Sequence, residues 1–146
     1  MSDPAPLDFD LARKVLAAQP FANLVGTELA AFDTGSATLV VAIRPELAQQ
    51  FGYVHGGVLS YLADNALTFA AGTVLGANVL TGGFSVTYLR PARGDRLRAT
   101  ATVTGSTRRQ AVVNCTISAE SDGSDPVVCA LAQGTARAVD RALGES

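Results

Sequence analysis

The apolar and polar positions of this chain follow two different periods. In Arg96–Thr104, and again in Gln110–Glu120, apolar and polar residues alternate one by one, which is typical of β-strands with one buried face. Turn residues rich in glycine and proline separate these stretches from their neighbours. Because the connections are short, consecutive strands should pair antiparallel. The predicted strands are Leu24–Phe32, Ser36–Arg44, Val79–Leu89, Arg96–Thr104, Gln110–Glu120 and Val127–Val139.

Helical spacing of apolar residues appears in two further stretches. Phe9–Ala18 predicts a short helix that begins after Asp8, a suitable N-cap, and ends before Pro20. Val58–Leu75 is apolar almost all round, so it predicts a long helix that is buried on most sides. Together these elements indicate an α+β fold, in which an antiparallel six-stranded sheet wraps around the long helix and the short N-terminal helix covers it.

The length of the long helix also requires a membrane span to be considered. Asp64 lies near its middle, where a carboxylate costs about 2.5–3.5 kcal/mol on membrane-insertion scales. We therefore interpret the helix as the core of a soluble domain. The acidic, proline-containing start of the chain does not resemble a secretory signal, so we expect a cytoplasmic protein without a membrane partner.

Composition narrows the class of protein further. The chain has 146 residues, 48% of them hydrophobic, and a net charge of -2, which fits one compact domain over residues 1–146 with its core at about residues 21–139. The absence of a basic run argues against nucleic acid as a partner. One histidine and two cysteines do not supply the usual zinc ligand sets, so no metal is predicted, and both thiols are expected to be buried.

A narrow polar stripe runs along the long helix. Ser60, Asp64 and Thr68 are spaced four residues apart, so their side chains lie nearly above one another. A carboxylate flanked by hydroxyl groups can act as a general base, position a water molecule or attack as a nucleophile. A structural Asp, hydrogen-bonded inside the fold or at a subunit contact, explains the same pattern.

Gly56 and Gly57 precede the predicted helix. Glycine allows a ligand to approach the backbone closely, and the first turn of a helix leaves N–H groups without intrahelical acceptors. Aimed at a carbonyl oxygen, such donors would form an oxyanion hole. A plain tight turn is the simpler alternative.

The separation of these two features has a consequence for assembly. Gly56 and Asp64 are eight residues apart, which corresponds to roughly 12 Å along a helix. One substrate carbonyl cannot contact both groups in the same protomer. If both act on it, a second chain must supply one of them, and the site requires a symmetric homodimer with two composite sites.

Three strings of residues resemble the hotdog-fold acyl-CoA thioesterases, in particular the PaaI-type and 4-hydroxybenzoyl-CoA thioesterase group. The resemblance extends over about residues 49–139, and the spacing from the histidine to the acid is its most specific part. It implies the hotdog fold, hydrolysis of an acyl-CoA thioester, and no cofactor beyond the coenzyme A that the substrate carries. The strings are His55-Gly56-Gly57, Leu62-Ala63-Asp64 and Val86-Thr87-Tyr88-Leu89-Arg90-Pro91-Ala92.

The resemblance also assigns roles to individual residues. Asp64 matches the family's nucleophile or general base, and the N–H of Gly56 matches the donor that polarises the thioester carbonyl. Gln49, six residues before the histidine, matches a supporting amide. Thr68 matches a hydroxyl that positions water, and Thr81 matches a hydroxyl on the following strand. The family's dimeric site agrees with the distance argument, and two dimers are expected to pair into a homotetramer.

Other residues are predicted to contact the substrate without taking part in the chemistry. His55 and Gly57 adjoin the helix start, where a structural hydrogen bond is the expected role of the histidine. Arg90, Arg108 and Arg109 could bind the phosphates of coenzyme A, because arginine matches phosphate geometry, although solvated surface charge is an equally good interpretation for Arg108 and Arg109. The acyl pocket is predicted to be lined by Val54, Leu59, Leu62, Ala66 and residues of the partner chain.

Two other functions fit parts of the sequence. A non-catalytic acyl-CoA-binding hotdog protein or structural dimer would use the same fold. A hotdog hydratase or dehydratase requires a histidine paired with an acid, and His55 is the only histidine. The acyl group itself, aryl or medium-chain, is not determined by the sequence.

Overall fold

A computed structural model describes residues 7–140 of the chain. It contains six strands in one antiparallel sheet, three α-helices and one short 3₁₀ helix at Pro45–Leu47. The strand order is β1-β2-β4-β5-β6-β3, so β1 and β3 form the two edges. The predicted α+β hotdog architecture is confirmed. The elements are α1 Phe9–Ala17, α2 Pro20–Val25, β1 Thr27–Asp33, β2 Ser36–Ala42, α3 Gly56–Leu75, β3 Val79–Tyr88, β4 Arg96–Ser106, β5 Gln110–Glu120 and β6 Val127–Ala138.

The long helix α3 is the core of the fold, as its composition predicted. It contacts all six strands, and its Leu62, Ala66 and Leu67 are fully buried. By length and composition it could cross a membrane, but half of its most apolar window is buried inside this domain. The inward faces of β4 and β5 pack against it, and each Leu or Ile buried there contributes about 1.5–3 kcal/mol. The buried strand residues are Leu97, Ala99, Ala101, Val113, Cys115 and Ile117.

The N-terminal region differs from the prediction. Leu24 and Val25 were predicted to begin a strand, but they end the short helix α2, and β1 begins only at Thr27. Pro20 stands in the first turn of α2, where proline is favoured, and Gly26 ends it with a φ of 88°. Ala12 and Leu16 of α1 are buried, so the core begins before residue 21.

Strand β3 is a free edge of the sheet. It pairs with β6 on one side, and across residues 7–140 no strand pairs with its other side. Most of its residues are exposed, and they include large apolar side chains such as Phe84 and Leu80. A long exposed edge of this kind is a template for pairing with another strand.

Gly134 of β6 lies in close contact with both β3 and α3. A Cβ added at this position would lie 2.5 Å from the Cβ of Phe84 and 2.7 Å from Cδ1 of Leu67, so only hydrogen fits there. We expect Gly134→Ala to lower the free energy of unfolding by about 1–3 kcal/mol, because the strand and helix must move apart. Urea denaturation measures this loss. Gly105→Ala is the matched control, since its Cβ would meet no atom within 4 Å, and equal stability of the two variants would contradict the prediction.

Candidate active site

The start of α3 presents one unpaired backbone donor. His55 is the N-cap, and its Nδ1 accepts the N–H of Gly57 at 2.8 Å. The neutral imidazole therefore carries its proton on Nε2. The N–H of Gly56 has no acceptor among residues 7–140, so it is free to donate to a ligand. His55 thus makes the expected structural hydrogen bond, and the amide of Gly57 is already engaged by it.

Gln49 fixes the loop that leads to this helix start. Its side-chain Oε1 accepts the backbone N–H of Phe51 at 2.5 Å and that of Tyr53 at 3.2 Å. The backbone N–H of Gln49 donates to the carbonyl of Tyr53 at 2.8 Å. The N–H of His55 donates in turn to the carbonyl of Leu47. The Nε2 group of Gln49 has no acceptor within the described part of the chain. Gln49 therefore positions the loop with its oxygen and keeps its amide donors available.

Asp64 lies in the middle of α3 and is only partly buried. The hydroxyl of Thr81 donates to its Oδ1 at 2.5 Å, whereas Oδ2 accepts no hydrogen bond from residues 7–140. One turn along the helix, the hydroxyl of Thr68 donates to the carbonyl of Asn65 at 2.8 Å, which leaves the lone pairs of Thr68 able to accept. The structure thus brings Asp64, Thr68 and Thr81 together and leaves one carboxylate oxygen open.

These three side chains line one cavity of about 320 Å³ between α1, α3 and the start of β3. This volume is at the lower end of the usual range for small-molecule pockets, about 300–1,000 Å³. An apolar wall and a carboxylate that opens into it suit an acyl group whose carbonyl end lies at the acid. The remaining lining residues are Leu7, Val15, Gln19, Tyr61, Asn65, Phe69, Gly72, Gly76, Ala77, Val79 and Leu80.

One side of the cavity is polar. Asn65 is 9% exposed, and its Nδ2 donates to Oε1 of Gln19 at 3.0 Å and to the hydroxyl of Tyr61 at 3.1 Å. The Tyr61 hydroxyl lies 2.7 Å from that of Thr27, and its ring packs edge-on against Phe21. This network links α3 to α2 and β1, and it holds the wall of the cavity in place.

None of the four residues predicted to line the acyl pocket lines this cavity. Val54, Leu59, Leu62 and Ala66 are all buried in the core, with exposed fractions of 5% or less. Leu59, Leu62 and Ala66 belong to a face of α3 other than the one that lines the cavity. The sequence did not show that Val15 of α1 and Gln19, the N-cap of α2, line the cavity. The position of Gln19 relative to α3 was unknown because α2 was not predicted.

The predicted oxyanion donor, Gly56, and the predicted base or nucleophile, Asp64, lie apart in one protomer. Gly56 and Asp64 are separated by eight residues of continuous helix, about 12 Å. Each of these two residues contacts a different end of β3. Thr81, near the start of the strand, is hydrogen-bonded to Asp64, and Tyr88, at its end, is hydrogen-bonded to Gly56. Tyr88 was not predicted as a site residue, although it is part of a string that carried the resemblance.

The three predicted arginines do not converge in one protomer. Arg90 donates from Nη1 to the carbonyl of Val128 at 2.9 Å, whereas the carbonyl of Arg109 accepts the N–H of Ala138. These contacts lie ten residues apart on β6, or roughly 33 Å. Arg109 pairs with Asp140 at 3.1 Å, and Arg108 is exposed beside it in the β4–β5 turn. Within residues 7–140, no group of three or more His, Cys, Asp or Glu side chains could hold a metal ion.

Comparison with known proteins places this chain in a family. A family model described as the thioesterase superfamily matches residues 51–125, which is just over half of the chain. A protein of Halobacterium salinarum, provisionally named an esterase, is 36% identical over 91 residues, or 59% of this chain and 60% of that protein. The chain thus matches less than two thirds of the length of this curated relative.

Solved structures agree on the fold. A thioesterase family protein from Silicibacter pomeroyi superimposes with a TM-score of 0.83 at 31% identity, covering 88% of this chain and 95% of that one. A variant of the phenylacetic acid degradation protein PaaI from Thermus thermophilus gives 0.71 at 26%, covering 83% and 100%. The PaaI protein of E. coli gives 0.77 at 24%, covering 88% and 90%, and shows the fold alone. The chain therefore belongs to the thioesterase superfamily and has the hotdog fold.

Proposed function

We propose that the protein is an acyl-CoA thioesterase, which hydrolyses an aryl- or medium-chain acyl-CoA to the free acid and coenzyme A in a composite site of a homodimer. The observation that carries the proposal is the Asp64 carboxylate, which is held by Thr81 and opens into a cavity of acyl size. The free N–H of Gly56 supplies the complementary donor at the start of the same helix.

The free edge of β3 supports the dimer. When two copies of a strand pair antiparallel about the midpoint of Val79–Tyr88, the last residue of one copy lies opposite the first residue of the other. The Gly56 end of one protomer then faces the Asp64 end of its partner. Such pairing would also cover the exposed apolar side chains of β3. Two of these dimers would pair into the expected homotetramer, a soluble cytoplasmic assembly.

In this arrangement the thioester carbonyl oxygen accepts the N–H of Gly56, with support from the Nε2 group of Gln49. The partner's Asp64 then removes a proton from a water molecule held by Thr68, and the water oxygen adds to the carbonyl carbon. The oxyanion is stabilised by the Gly56 donor. The C–S bond breaks, its electron pair leaves with the sulfur of coenzyme A, which takes up the proton held by Asp64, and the acid is released.

The carboxylate of Asp64 could also attack the carbonyl carbon itself. That course releases the coenzyme A thiolate first and leaves a mixed anhydride on the enzyme, which water hydrolyses. Both courses use the same groups. Thr81 orients the carboxylate in either case, because its hydroxyl engages Oδ1 and leaves Oδ2 directed at the substrate.

The same dimer would bring arginines of both protomers to the phosphates of coenzyme A. Arg90 follows the Gly56 end of β3, whereas Arg109 and the neighbouring Arg108 lie across β6 from the start of β3, at the Asp64 end. Antiparallel pairing brings opposite ends of the two protomers together. Arg90 and the partner's Arg109 would then flank one site, and each could contribute to phosphate binding.

The hydratase alternative finds no support in the site. It requires a histidine paired with an acid, but Nδ1 of His55 accepts the N–H of Gly57, and no carboxylate among residues 7–140 bonds to its ring. A non-catalytic binding protein would leave the open oxygen of Asp64 without a role.

A panel of acyl-CoA and aryl-CoA thioesters, assayed for thiol release, tests the proposed function. We expect turnover of at least one member, with kcat of about 1–1,000 s⁻¹ for a good substrate. A thiol-reactive chromophore reports only released coenzyme A, because both protein thiols are buried and burial raises the pKa of Cys115 to about 12. Protection against thermal unfolding by these thioesters without any thiol release would indicate a binding protein instead.

A further inference from the structure

Tyr88 lies directly over the oxyanion end of α3. Its hydroxyl donates to the carbonyl oxygen of Gly56 at 2.9 Å and lies 2.7 Å from the hydroxyl oxygen of Ser60. Because the Tyr88 proton is used on Gly56, the Ser60 hydroxyl is the donor in the second bond. A Cβ at Gly56 would lie 3.3 Å from Cζ and from the hydroxyl oxygen of Tyr88, so the ring rests on the bare backbone.

These contacts restrain the two peptide groups that flank Gly56. The carbonyl of His55 accepts the N–H of Val58 at 2.9 Å, which holds the peptide that carries the Gly56 N–H. The next peptide is held at both ends: Tyr88 binds its carbonyl, and Nδ1 of His55 binds its N–H, which belongs to Gly57. Among the backbone N–H groups of residues 55–58, that of Gly56 is the one with no acceptor in the described part of the chain.

The restraint matters because of where Gly56 stands. Glycine is the residue with the most backbone freedom, and the first turn of a helix is where intrahelical hydrogen bonds are missing. An oxyanion donor is effective only when its direction is fixed before charge develops on the substrate. A glycine donor at a helix start therefore needs an external restraint, and Tyr88 is the side chain that supplies it.

We propose that Tyr88 is a positioning residue that fixes the direction of the Gly56 N–H, with Ser60 holding the Tyr88 hydroxyl in place. This inference rests on the proposed thioesterase function. Tyr88 acts through the backbone of Gly56 and makes no contact with the reacting atoms. Its side chain is half exposed, at 50%, so packing of the ring gains little, and the two hydrogen bonds of the hydroxyl are its distinctive feature.

Tyr88→Phe keeps the ring and removes only the hydroxyl. We expect kcat to fall about tenfold, which is the effect of one lost hydrogen bond, while KM stays within about twofold. Ser60→Ala leaves the tyrosine but removes the donor to its hydroxyl, and we expect a smaller fall in kcat, about threefold. Tyr53→Phe is the matched control with unchanged kcat, because the Tyr53 hydroxyl makes no hydrogen bond within residues 7–140.

A spectroscopic readout separates positioning from a structural role. A thioester labelled with ¹³C at its carbonyl, bound to the inactive Asp64→Asn protein, should show a lowered carbonyl stretching frequency where the Gly56 N–H polarises it. Adding Tyr88→Phe should reduce that lowering, without a change in melting temperature.

The outcomes are distinct. Absence of turnover by the wild type, or full turnover by Asp64→Asn, overturns the proposed function. Wild-type turnover that Asp64→Asn abolishes but Tyr88→Phe leaves unchanged overturns the positioning role alone. A carbonyl stretching frequency that is the same in the Asp64→Asn/Tyr88→Phe protein as in Asp64→Asn alone also overturns it.

Discussion

Asp64→Asn is expected to lower kcat by at least about 10³-fold while leaving a folded dimer. The amide has the same shape as the carboxylate, and its oxygen can still accept the hydroxyl of Thr81, so the local structure is retained. It can neither remove a proton from water nor attack the carbonyl carbon. Release of coenzyme A at saturating thioester measures the loss, and size-exclusion chromatography with thermal denaturation verifies the fold.

Asp33→Asn is the matched control for this experiment. Asp33 is exposed at the end of β1, and the same loss of one negative charge there should leave kcat unchanged. Undiminished turnover in Asp64→Asn would refute the catalytic role. A purely structural dimer would instead predict that Asp64 substitutions are neutral or stabilising, because a partly buried charge is removed.

Mixing two inactive variants, Asp64→Asn and Gly56→Pro, should restore thioesterase activity. Gly56→Pro removes the proposed oxyanion donor at a position where proline is well tolerated, because Gly56 is the first residue of α3. His55 has φ -60° and ψ 135°, which suits a residue that precedes proline. Gly56→Ala adds the same Cβ beside Tyr88 but keeps the N–H, so it is the matched control and should retain much more activity than Gly56→Pro.

The complementation follows from the composite site. In a heterodimer of an Asp64→Asn chain and a Gly56→Pro chain, one site contains both substitutions. The other site combines the intact Gly56 of the first chain with the intact Asp64 of the second. After complete exchange of subunits in an equal mixture, about half of the dimers are mixed, so we expect about a quarter of the wild-type activity. Differently tagged chains report the fraction of heterodimers. Formation of heterodimers without recovery of thiol release would mean that each site lies within one protomer.

The strands and the central helix could be predicted because each depends on local periodicity. Alternation in β4 and β5 requires only that one face be buried, and it located those strands correctly. The helix α2 was missed because Pro20 was interpreted as the stop of the first helix and Leu24–Phe32 as one strand, whereas Pro20 and Gly26 delimit a separate helix. Asp64 could be singled out as a candidate because a carboxylate in an apolar helix costs free energy unless contacts compensate for its burial.

The partner of Asp64 could not be predicted from alternation. Thr81 and Tyr88 are seven residues apart, an odd number, so in a regular strand they would point to opposite faces. Both nevertheless contact α3, because the register shifts between Thr81 and Gly83. This bulge turns Thr81 towards the acid. A bulge depends on pairing with β6, a strand more than 40 residues further along the chain, and therefore leaves no periodic signal.

The separation of Gly56 from Asp64 along α3 has a thermodynamic consequence. A substrate whose carbonyl lies at one chain's glycine and the other chain's acid would contact both protomers at once. Its binding free energy would therefore add to that of the association between the chains. A single chain would be inactive, and the substrate itself would favour assembly of the enzyme that consumes it, most strongly where the protein is dilute.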